Sequence, residues 1–117
     1  MVDKKLIQQI RNENARAFDT RDRFHQGSIR FDTNSSVDHK LAIMELCADA
    51  IEAGHHFLTR AHLDSWLPSE RLCCDFCDLD EGKIVEIAFS EKDESLERKK
   101  AVWENKGFEY ETKRIKN

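Results

Sequence analysis

The chain has 117 residues, 39% of them hydrophobic and 36% charged, with a formal net charge of -4. This size excludes two domains with separate cores, and this balance excludes an intrinsically disordered chain. No apolar run approaches the roughly 18 residues needed to span a bilayer, and the opening MVDKKLIQQIRNEN lacks the unbroken apolar core of a signal peptide, so a cytoplasmic protein without membrane contact is expected.

In chain order, a first helix is predicted over residues 3 to 17, with Asp3 at its start and Leu6, Ile10 and Ala17 on one apolar side. It lies in a basic stretch: residues 1 to 30 carry seven basic and four acidic side chains, a local +3, against a local -7 over the other 87. Such an arm suits nucleic-acid phosphates, and equally the solvated face of an ordinary helix. Residues 18 to 36 form a connector with Gly27, the β-prone run Ser28 to Phe31, and the loop and cap signal Asp32 to Ser36. A second helix over Val37 to Ala53 is expected to bury the stripe Leu41, Met44, Ala48 and Ile51, with Gly54 as its stop.

The run HHFLTRA then reads as a strand, and a loop around Pro68 leads into RLCCDFCDLDEGKIVEIAFSE, two strands joined at Asp80-Glu81-Gly82. Strict alternation places Cys73, Asp75 and Cys77 on one face of the first, and Glu86, Ala88 and Ser90 on one face of the second, opposite Val85, Ile87 and Phe89. An acid inside an apolar strand needs a partner, because burying a carboxylate alone costs several kcal/mol. A charged helix from Asp93 to Lys106, with Leu96, Lys100 by its stem and Trp103 inward, ends at Gly107, and FEYETKRI alternates as a last strand. The expected fold is a single α/β domain: residues 1 to 36 supply an extra N-terminal helix and connector, and residues 37 to 117 an αβββαβ core, a central mixed sheet of about four strands flanked by helices.

This element order, with the helix ELCADAIEAG feeding HHFLTRA and with Asp75 and VEIAFSE across a hairpin, resembles the restriction-endonuclease-like PD-(D/E)xK nucleases. It is similar to their small archaeal Holliday-junction-resolvase-type members. The resemblance implies a DNA endonuclease or resolvase in which Asp75 and Glu86 bind Mg²⁺ or Mn²⁺, with Glu45 as a helical auxiliary ligand and Asp38 or His39 competing for that role. A divalent ion held by carboxylates activates water and steadies the leaving oxygen, and Mg²⁺ needs few protein ligands because it keeps several waters. Two departures from the pattern stand out: Ala88 occupies the motif Lys position, and Cys74 the motif Pro position. The implied water-orienting lysine is therefore Lys99, with Lys92 and Lys100 as other sources. Arg60, Arg71 and Lys100 are candidate DNA contacts; Arg60 or Arg71 could instead neutralise the acid pair.

Other readings use the same residues. Without the motif lysine, the chain would be a non-catalytic nuclease-fold module binding nucleic acid or protein. Cys74 and Cys77 have CxxC spacing and, with Cys73 and His55, His56 or His62, would suit Zn²⁺ in a small interaction module, whereas buried reduced thiols are the bland reading of the four cysteines. The adjacent His55 and His56 read as a helix-end cation and a surface residue. Trp66 reads as a loop anchor or an exposed partner contact, Trp103 as core, and Ser90 and Glu91 as a cap for the next helix or an extension of the site. A homodimer would suit symmetric cleavage of two strands.

Overall fold

Asp3 starts the first helix by accepting the Lys5 N–H, and α1 runs from Lys4 to Ala15. The computed structural model describes residues 3–115. The expected apolar side of α1 is not its buried side: Leu6 and Ile10 are exposed. Polar contacts fix this helix instead. Arg11 donates to Asp80 Oδ1 (2.7 Å) and to the Gly54 carbonyl (2.9 Å), and Asn14 donates to the Leu79 carbonyl (2.6 Å). The connector contains a short helix, α2 (Thr20–Arg23), which the sequence pattern did not indicate, while the run Ser28 to Phe31 is not a strand.

Ser36 caps α3 (Val37–Glu52), and Gly54, at φ 74°, supplies the left-handed residue that ends it, as its position in the sequence implied. The stripe expected to face the core does not: Leu41, Met44 and Ile51 are exposed, and the buried side consists of Ala42, Ile43, Cys47 and Ala50. Three of these four inward residues are small, and they pack against Phe57, Phe76, Val85 and Ile87 of the sheet.

The strands are β1 (Phe57–His62), β2 (Cys73–Asp78), β3 (Lys83–Ala88) and β4 (Glu109–Arg114), in spatial order β1-β2-β3-β4. The first two pairings are antiparallel; β3 and β4 are parallel, joined through α4 (Asp93–Asn105) as a crossover requires. This is the mixed four-stranded sheet of a single α/β domain. One face packs under α3 with Phe57, Phe76, Val85 and Ile87; the other holds Leu58, Ile84, Trp103 and Phe108 with Ala15 and Phe18. Phe18, Trp103 and Phe108 pack ring to ring at centroid distances of 5.6–5.9 Å, so the N-terminal segment contributes to the same core as the strands.

Strict alternation fails at one point in β1 and β2. Leu58 and Ala61 share a core face although three positions apart, and so do Cys74 and Cys77 opposite them. In a regular strand such pairs face opposite sides. The break lies at Arg60, whose φ of 47° is in the left-handed region, and at Asp75 across from it; the ladder passes from Thr59 and Phe76 directly to Ala61 and Cys74. Asp75 therefore does not share a face with Cys77, contrary to the alternating pattern.

Candidate functional site

The β2–β3 ladder extends from the hairpin only as far as Phe76 and Val85. Beyond it the strands part, and the Asp75 side chain fills the gap: its Oδ2 accepts the Ile87 N–H at 2.8 Å. Its Oδ1 lies 3.4 Å from His39 Nε2, brought in by the first turn of α3. Burial pushes the Asp75 carboxyl above its ordinary range in spite of the Ile87 N–H and His39. A cleft of about 330 Å³ opens here, lined by His39, Arg60, His62, Cys73 and Asp75.

Glu86, next to Asp75 across the parted strands, is 5% exposed. Lys99 of α4 donates to Glu86 Oε1 at 3.2 Å and to Glu91 Oε2 at 2.9 Å. Burial first, and the negative charge of Asp75 second, push the Glu86 carboxyl up to about 7. Desolvation alone would lower Lys99, but the carboxylates of Glu91 and Glu86 overcome it and hold its ammonium charged. Among the described residues, Glu86 Oε2 is buried with no hydrogen-bond partner. A lone pair in that condition costs on the order of 1–3 kcal/mol, and a divalent cation satisfies it with the hard ligand chemistry that carboxylates offer. The orphaned oxygen fits such an ion, but Asp75 and Glu86 belong to no three-ligand metal group among the described residues.

Several sequence candidates lie elsewhere. Glu45 is mostly exposed on α3 and sits 3.6 Å from Lys113, so the structure brings His39, and not Glu45, to Asp75; Asp38 is exposed. Arg60 lines the cleft and donates to the Phe31 carbonyl, whereas Arg71 donates to the Ser65 carbonyl in a separate groove, so neither guanidinium is hydrogen-bonded to Asp75 or Glu86. Lys100 is half-buried on α4, and Lys92 is the exposed N-cap of that helix. Glu91 does not cap α4 but extends the charged cluster through Lys99. Trp66 is 91% exposed and Trp103 fully buried. The basic opening is largely engaged within the molecule: Arg23 donates to the Phe18 and Arg16 carbonyls, and Arg30 to Asp22, a buried acid that also receives the His62 N–H.

The four cysteines are free; Cys47, Cys74 and Cys77 are buried, and desolvation raises their thiols, so they behave as small core residues. No cysteine enters a three-ligand metal group among the described residues. At the hairpin end of the sheet, His55, Asp78 and Glu81 do form a group that could hold a metal ion, their ligand atoms within 4.8 Å of one another. His55 Nδ1 is 2.7 Å from Asp78 Oδ2, while Asp78 Oδ1 accepts the N–H groups of Asp80 and Glu81. This group was hidden in the sequence because Asp78 lies 23 positions after His55; the turn at Asp80-Glu81-Gly82 was its only trace. No helix among the described residues is long and apolar enough to cross a membrane. Compared with family models, curated proteins and solved structures, the chain matches none.

Proposed function

We propose that this protein is a metal-dependent nuclease of the PD-(D/E)xK kind, hydrolysing phosphodiester bonds in DNA. The observation that carries this reading is Lys99: from α4 it reaches Glu86, next to Asp75, and supplies the cation that Ala88 cannot. Acids whose pKa is raised by burial and by a specific charged neighbour, beside a cleft, are functional-site candidates.

Asp75 and Glu86 would hold the ion, Mg²⁺ or Mn²⁺ by their all-oxygen chemistry, and the bound ion would supply an activated water and charge for the leaving oxygen. His39 and the Ile87 N–H fix the Asp75 carboxylate. Lys99 orients the attacking water, held in place by Glu91, and Arg60 at the cleft faces the phosphate. The His55, Asp78 and Glu81 group, with a nitrogen donor, suits Zn²⁺ better than Mg²⁺.

A second reading, a nuclease-fold module that binds without cutting, is favoured by the same lysine: gripped by Glu86 and Glu91 together, Lys99 also completes an ion network. Supercoiled, single-stranded and four-way-junction DNA incubated with the protein in Mg²⁺ and in Mn²⁺ separate the two. Cleavage that falls at least ~100-fold in Asp75→Asn and Glu86→Gln, and ~10-fold or more in Lys99→Met, is expected for the enzyme. Binding without cleavage by the wild type would replace it with the second reading.

A further inference from the structure

The face that α3 turns away from the sheet carries large apolar side chains. Val37, Leu41, Met44 and Ile51 are 46–69% exposed, and Ala48 between them is exposed too. They recur at intervals of four, three, four and three residues, the spacing that places side chains along one straight seam between two helices. A core-facing stripe has no need of so regular a seam, and this one does not face the core. His39, which reaches Asp75, lies on the opposite, sheet side of the helix.

The charges beside the seam select the occupant. Asp38, Glu45 and Glu52 each follow a seam residue by one position, along one flank; Lys40 precedes Leu41 on the other. A second α3 laid antiparallel would set acidic flank against acidic flank. Laid parallel, it sets Lys40 of each copy against Glu45 of the other, five residues on, the favourable cross-pair of a parallel two-helix seam. Glu45 is exposed and sits 3.6 Å from Lys113, a loose surface pair that the cross-pair with Lys40 would replace or share.

We propose that α3 is the interface of a homodimer: two copies pair through Val37, Leu41, Met44, Ala48 and Ile51 with their α3 helices parallel, about a two-fold axis running along them. The same patch is used by both partners, as a closed two-fold contact requires. Both Asp75 clefts remain open, because His39 faces away from the seam. This inference does not depend on nuclease activity.

Sedimentation equilibrium of the wild-type chain from low to high micromolar concentration tests it, with circular dichroism confirming that each variant is folded. A mass of two chains is expected. Met44→Glu should weaken pairing at least ~10-fold. Lys40→Glu should weaken it less, and Lys40→Glu combined with Glu45→Lys should restore it by exchanging the two charges. A wild type that stays a single chain throughout overturns the proposal, leaving the face to a different partner. So does a Met44→Glu dimer as tight as the wild type, or a charge exchange that recovers nothing.

Discussion

The two ends of the β2–β3 hairpin use the same residue types to opposite effect. At the turn, Asp78 is tightly hydrogen-bonded: one oxygen takes two backbone N–H groups and the other faces His55. At the parted end, burial raises both Asp75 and Glu86, the charge of Asp75 raises Glu86 further, and among the described residues one Glu86 oxygen has no hydrogen-bond partner. The closed end stabilises the fold; the open end holds charge that the fold alone does not satisfy. Asp78 and Glu86 are similarly buried, so the ends differ in what the surrounding backbone leaves unpaired.

The sharpest way to break this comparison is to delete each acid and read stability. Asp78→Ala strips two N–H groups and His55 of their acceptor, and should cost about 2–3 kcal/mol in denaturant unfolding. Glu86→Gln should act in the other direction. Glu86 binds its proton up to about 7 in the folded chain but only to about 4.5 in the unfolded one. The folded state therefore holds the extra proton between those values, and this group lowers stability progressively as pH rises through them. Above about pH 7 the Gln variant should gain on the order of 1–3 kcal/mol over the wild type, and below the ordinary carboxylate range it should gain nothing. A Glu86→Gln protein with the wild type's pH profile would erase the contrast between the two ends.

Added Mg²⁺ or Mn²⁺ sharpens the comparison further. Thermal melts above about pH 7 should shift upward with the ion, because it stabilises the ionised Glu86; at acid pH the shift should vanish, and in Glu86→Gln it should be lost at both. His55 contributes with the opposite sign: its Asp78 partner raises it, so its stabilisation is full below the ordinary imidazole value of 6.5 and fades as pH climbs through the higher folded value. The smallest effect belongs to Glu45→Gln, an exposed pair with Lys113 worth under ~0.5 kcal/mol. A Glu45 variant that abolished the metal-dependent shift would restore that residue as a ligand.

Much of the architecture was legible because its punctuation is local. Gly54, Gly107 and the Asp-Glu-Gly turn mark where elements end, and each stands where the sequence placed it. What depended on packing was not legible. The α3 stripe was correctly grouped but assigned to the wrong side, since nothing in a helical period says whether large or small residues face a close-lying sheet. The parity break at Arg60 was invisible because it is a backbone choice by a residue that rarely makes it. It is this break that takes Asp75 out of register with Cys77 and turns it toward His39. Lys99 was reachable only by asking what might replace the lysine missing at position 88, and Glu91 stayed open between a helix cap and an extension of the site until α4 brought Lys99 to it.

The edges of the sheet carry one more consequence. The outer rim of β1 is occupied by the N-terminal segment, where Phe18 bridges Leu63, the Gly27 N–H donates to the Phe57 carbonyl and Asp19 N–H to that of His62. The segment thus acts as a selvage, sealing a border that could otherwise recruit a strand from another molecule. The opposite border, β4, is studded with Glu109, Glu111, Lys113 and Arg114, whose charges discourage strand addition. Growth of the sheet from chain to chain is opposed on one side by cover and on the other by charge.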